Sequence, residues 1–110
     1  MLNHVVLVGR LVDTPEIKKL ETEKIVTNIT LAVPRAYKNE SGEYETDFFD
    51  CELWNGVANA TTEYCKKGDI IGIKGNLKTD YYIKEDNKIK VTKIVAEKVT
   101  FLSSKKEVEE

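Results

Sequence analysis

Apolar and polar residues alternate with a period of two along most of this chain, the pattern of strands that bury one face. Residues 42–56, GEYETDFFDCELWNG, show it most clearly. Phe49, Cys51 and Leu53 fall on one side, and Tyr44, Thr46, Phe48, Asp50, Glu52 and Trp54 on the other. The first set reads as core. The second is mostly polar yet carries large rings beside carboxylates, an uncommon surface unless something stacks on the rings or they cover a neighbouring element. Two readings follow: a platform for flat ligands, or aromatics that fill the rim of a small barrel.

The remaining segments extend the pattern. Residues 2–12 place Val5, Leu7 and Leu11 on one side and Val6, Val8 and Val12 on the other, so both faces are apolar and both call for burial. A barrel covers only the inner one, and the outer one therefore predicts a homo-oligomer. Gly9 reads as a bend or bulge at a barrel corner. Thr14-Pro15-Glu16 marks a turn and Glu21 to Lys24 a hairpin end. Ile25, Ile29, Leu31 and Val33 form the inward side of a half-buried strand that ends in a loop over Pro34 to Ser41, where Arg35, Tyr37 and Lys38 interleave basic and aromatic residues. Asn55 predicts the N-cap of a short helix in which Val57, Ala60 and Tyr64 share a face, ended by Lys66, Lys67 and a left-handed Gly68. Ile71, Ile73 and Leu77 then point inward. A long hairpin over Lys78 to Val95 turns at Glu85-Asp86-Asn87-Lys88 and carries Lys78, Asp80, Tyr82 and Lys84 on one side. Lys93 to Leu102 reads as the closing strand. Such an order predicts an all-β OB-fold: a five-stranded Greek-key barrel with a short helix between strands 3 and 4 and a long 4–5 hairpin. Residues 1–103 read as that domain, and residues 104–110 as a charged, disordered tail.

Composition narrows the chemistry. With 17 Lys and Arg against 19 Asp and Glu the formal charge is -2, unlike the strongly basic balance of duplex readers. Single-strand binders gain part of their affinity from stacking, which needs no net charge. One histidine, His4, reads as structural. Cys51 and Cys65 stand in apolar settings without a CxxC or Cys/His cluster, and read as buried free thiols. No nucleophile–base pair or phosphate cradle is visible, so no enzyme, metal or cofactor is expected. There is no run of about 18 apolar residues and no leader pattern, which predicts a cytoplasmic protein.

Five stretches in register, NHVVLVGRL, NITLAV, DFFDCELWN, YCKKGDIIGIKGNLKTDYY and VTKIVAEKVTFL, together resemble bacterial single-stranded DNA-binding proteins over roughly residues 1 to 103. The resemblance implies a tetramer that coats single-stranded DNA near the nucleoid in replication, recombination and repair. It implies base stacking on Tyr37, Phe48, Trp54 and Tyr82, and phosphate contacts from Arg10, Arg35, Lys38, Lys67, Lys78 and Lys84. Asp50, Gly56 and Asp80 depart from it, standing where members often carry a basic residue. The sequence also lacks the acidic, Pro-Phe-type tip through which members recruit replication and repair proteins. A primosome-type accessory module and an RNA-binding OB domain are the alternatives.

Overall fold

Alternating positions translate into a closed sheet. The computed structural model describes residues 1–103, and the tail expected to be disordered lies outside the described residues. The elements are β1 (Val5–Leu11), β2 (Lys18–Lys19), β3 (Ile25–Lys38), β4 (Tyr44–Trp54), α1 (Asn55–Tyr64), β5 (Ile70–Lys84) and β6 (Asn87–Ser103). Strands run in the order β1-β5-β6-β4-β3-β2, and a β1–β3 pairing closes the barrel, leaving β2 as a flap on β3. Neighbours are antiparallel except β4 and β6, which meet in parallel at Cys51–Ile94 and Glu52–Val95. Helix α1 lies between the third and fourth barrel strands, β4 and β5, as the pattern predicts.

Leu11, Ile29, Leu31, Cys51, Leu53, Ile71 and Ile73 fill the interior, with Ala58 and Cys65 closing one end. Each large aliphatic side chain buried this way contributes roughly 1.5–3 kcal/mol. Buried hydroxyls are satisfied locally: Thr27 donates to the Glu16 carbonyl at 2.6 Å and Thr61 to the Val57 carbonyl at 2.8 Å. Gly9 sits where β1 leaves β5 for β3, and a Cβ there would stand 2.8 Å from the Ala32 carbonyl oxygen. At Gly75, opposite a bulge in β6, any side chain would collide with the Val95 carbonyl. Past this bulge the β5–β6 hairpin leaves the barrel as an arm. The radius of gyration, 16.0 Å, accordingly exceeds the roughly 13 Å of a compact chain this long.

Three local expectations are corrected. Pro34 to Lys38 is strand rather than loop: β3 continues to Lys38, and a register shift after Pro34 accommodates the residue that has no N–H to give. The turn follows it, with Asn39 Oδ1 accepting the Ser41 and Glu43 N–H groups at 2.9 and 3.0 Å. Trp54, not Asn55, takes the N-cap position, and the helix buries Ala58 and Thr61, with Val57 packed beside them. Tyr64 is exposed instead, its ring 5.8 Å from that of Phe101. Asn55 is left-handed (φ 50°) and uses its Oδ1 to accept the Ile25 N–H. Leu77 is exposed because the barrel ends before it. Gly68 does take a positive φ, 94°, but in a turn beyond the helix, which ends at Tyr64 with Cys65 as its C-cap, so Lys66, Lys67 and Gly68 do not end it as expected.

Candidate nucleic-acid interface

β4 presents its polar face outward, and the residues singled out on it stand there. Phe48 is 63% exposed. It lies across from Ala32 on β3, which lies across from Arg10 on β1, so the three form one row on the outer wall. Arg10 donates from Nη1 to the Gly68 carbonyl at 2.7 Å, which fixes its stem beside that row. Asp50, two residues on, accepts from the Thr30 hydroxyl at 2.6 Å.

Trp54 is half-buried and lines an open groove of about 400 Å³ together with Lys24, Glu52, Lys78, Asp80 and Lys93. β5 turns Lys78, Asp80, Tyr82 and Lys84 to one side, as its period requires, so Tyr82, 48% exposed, stands on the arm beyond the groove. Lys84 closes the arm opposite Asn87, at a two-residue turn in which Glu85 and Asp86 both have positive φ. Tyr37, 70% exposed, and Lys38 project from the other hairpin, and the Lys38 ammonium lies 5.7 Å from the Tyr44 ring centroid.

Two of the expected phosphate contacts are placed differently. Arg35 is already paired: it donates to Asp47 at 3.0 and 3.1 Å and lies 3.2 Å from Glu45. The pairing holds the Asp47 carboxyl below its usual range and raises the guanidinium above its own. Lys67 lines a separate hollow with Thr14, Lys18 and Asn28, and its N–H donates to the Thr14 hydroxyl at 3.0 Å.

Sequence reasoning missed Lys93. Its ammonium lies 3.1 Å from Glu52 Oε2 and 3.1 Å from Asp80 Oδ2, which raises its pKa. Asp80 is held below its ordinary range by the Tyr81 N–H first and by Lys93 second. The only available signal was the pair of carboxylates themselves, which call for a cross-strand cation. Lys24 in the groove, and Lys88 with its ammonium 4.6 Å from the Tyr81 ring centroid, were missed as well.

Both thiols are buried and unpaired, and burial pushes Cys51 up to about 12. Among the described residues no three His, Cys, Asp or Glu side chains are grouped to hold a metal ion, and no helix is long and apolar enough to cross a membrane.

A closed five-stranded barrel with a helix between its third and fourth strands defines an OB-fold protein. The model of the Single-strand binding protein family matches residues 2–102. The chain belongs to that family. It is 40% identical over 106 residues to single-stranded DNA-binding protein B of Bacillus subtilis (strain 168), spanning 96% of this chain and 94% of that one. It is 44% identical to single-stranded DNA-binding protein 3 of Listeria innocua, over 96% of this chain but 66% of the relative. For the single-stranded DNA-binding protein of Bacillus cereus the identity is 42%, over 93% of this chain and 61% of the relative, so the chain spans about two thirds or less of the longer relatives. In three dimensions it matches a Plasmodium falciparum SSB solved in complex with single-stranded DNA: TM-score 0.79 and 24% identity, over 94% of this chain and 96% of that one. The likeness establishes the fold.

Proposed function

We propose that residues 1–103 bind single-stranded DNA without sequence preference. Bases stack on Tyr37, Phe48, Trp54 and Tyr82, while Arg10, Lys38, Lys78 and Lys84 follow the backbone. Arg35 and Lys67 make secondary contacts, since one is neutralised and the other stands outside the groove. The carrying observation is the outer wall of β4, which leaves Phe48 exposed and sets the half-buried Trp54 in a groove lined by Lys24, Lys78 and Lys93 together with Glu52 and Asp80. Binding makes and breaks no covalent bond, and the role it serves is protection of exposed strands in the cytoplasm during replication, recombination and repair.

The test uses Trp54, the sole tryptophan. Oligo-dT should quench its fluorescence strongly and duplex DNA should not; equal quenching by oligo-rU would move the reading to an RNA binder. Trp54→Ala should cost about 1–3 kcal/mol of oligo-dT affinity, the value of one base stack. Undiminished affinity in that variant would remove Trp54 from the stacking set, and normal affinity in a folded triple variant lacking Phe48, Trp54 and Tyr82 would end the stacking mechanism.

We also propose a homo-oligomer, a tetramer, assembled through the outer face of β1. Val6 is 71% and Val8 52% exposed, and Val8 lies near Leu102, so the patch is apolar and uncovered within one chain. Light scattering should give a multiple of the chain mass, and Val8→Asp should reduce it to one chain.

A further inference from the structure

Four side chains from three strands are joined end to end along the groove. The Trp54 indole N–H donates to Glu52 Oε1 at 3.1 Å, and Glu52 Oε2 lies 3.1 Å from Lys93 Nζ. Lys93 lies 3.1 Å from Asp80 Oδ2, and Asp80 is anchored in turn by the Tyr81 N–H at 2.8 Å. Trp54 and Glu52 sit two residues apart on β4, so rotation of either side chain would break their hydrogen bond. Lys93 on β6 and Asp80 on β5 remove that freedom. Partly exposed ion pairs of this kind add little stability. Their effect is on geometry: they hold Glu52, the least exposed of the three charged groups, in one place.

We propose that Lys93 is a positioning residue for nucleotide binding: it fixes Glu52, and through Glu52 the indole of Trp54, so that the ring faces the groove before a base arrives. The inference rests on the groove being a stacking site. It assigns Lys93 a different task from Lys78, because two carboxylates already occupy its ammonium. A ring ordered in advance spares the cost of ordering it on binding, a factor of about two to ten in affinity.

The informative variant is Lys93→Met combined with Asp80→Asn, which removes one charge of each sign and leaves the net charge of the groove unchanged; Lys93→Arg is the conservative control. In DNA-free protein, time-resolved anisotropy of Trp54 should show a fast local component in the double variant and none in the wild type or Lys93→Arg. Oligo-dT affinity should fall about two- to tenfold in the double variant, recover in Lys93→Arg, and keep the wild-type salt dependence. An indole equally ordered in the folded double variant overturns the proposal. So does a salt slope shallower by about 0.7, the mark of a lost phosphate contact. If the wild type fails to bind oligo-dT, the stacking reading falls, while the anisotropy, measured without DNA, still decides whether Lys93 orders the ring.

Discussion

One strand serves two environments. The inner face of β4 packs Cys51 and Leu53 into the barrel at 1% and 0% exposure, where fit to the neighbours determines stability. The outer face, one residue out of phase, holds Phe48, Asp50, Glu52 and Trp54, of which Phe48 is largely bare and Trp54 is held by a hydrogen bond from its edge. Substitutions on the two faces should therefore fail in different measurements: inner ones in unfolding, outer ones in binding.

The largest effect is expected inside. Leu53→Ala removes a fully buried side chain and should lower the unfolding free energy by about 2–5 kcal/mol in urea titrations. Phe48→Ala should leave that midpoint in place and instead cost about 1–3 kcal/mol of oligo-dT affinity. A reversed pattern, with Phe48→Ala unfolding early and binding normally, would make Phe48 a rim residue of the barrel.

Next is the pH dependence of the inner face. The Cys51 thiol is raised in the folded chain, first by burial and then by the Asp50 charge, so the unfolded chain ionises first. Stability associated with Cys51 is therefore complete below about pH 9 and is lost as the pH rises towards 12, a total of roughly 4 kcal/mol. Thermal unfolding followed from pH 8 upwards should show this decline, and Cys51→Val should flatten it. A slope that persists undiminished in Cys51→Val would show that Cys51 is not its source.

The smallest effect belongs to the outer face. Asp50 is exposed and bonded only to the Thr30 hydroxyl among the contacts described, so Asp50→Lys should fold normally. It should tighten oligo-dT binding at low salt and steepen the plot of log K against log salt by about 0.7. An unchanged slope would place Asp50 off the path of the strand.

The division between faces was legible in the sequence because a period of two is strictly local. Ile29, Leu31, Cys51, Leu53, Ile71 and Ile73 all fall inside on that basis, and Phe48 outside. What depended on neighbours was harder to read. Pro34 signals a break, yet a bulge lets β3 continue and turns an expected loop carrying Arg35, Tyr37 and Lys38 into a hairpin arm. In α1 the apolar spacing pointed to Val57, Ala60 and Tyr64, but the buried residues are Ala58 and Thr61 with Val57 packed beside them, because Thr61 satisfies its hydroxyl on the Val57 carbonyl and can be buried despite its polarity. Lys93 looked like an ordinary polar position, since its partners come from β4 and β5 and become adjacent only when the barrel closes.

The β5–β6 arm has a consequence for solubility. Beyond Leu77, whose backbone is still held by the Asn3 side chain, the outer edge of β5 has no partner strand, and β6 before Ile94 has not yet reached β4, so both edges of a two-stranded ribbon lie open. Open edges invite strands from other molecules, and lysines discourage them. Lys78 and Lys84 on one strand and Lys88 and Lys90 on the other supply that charge. The lysines that suit the arm to a polyanion thus also keep it from seeding aggregates, and neutralising them by acetylation would weaken both properties together.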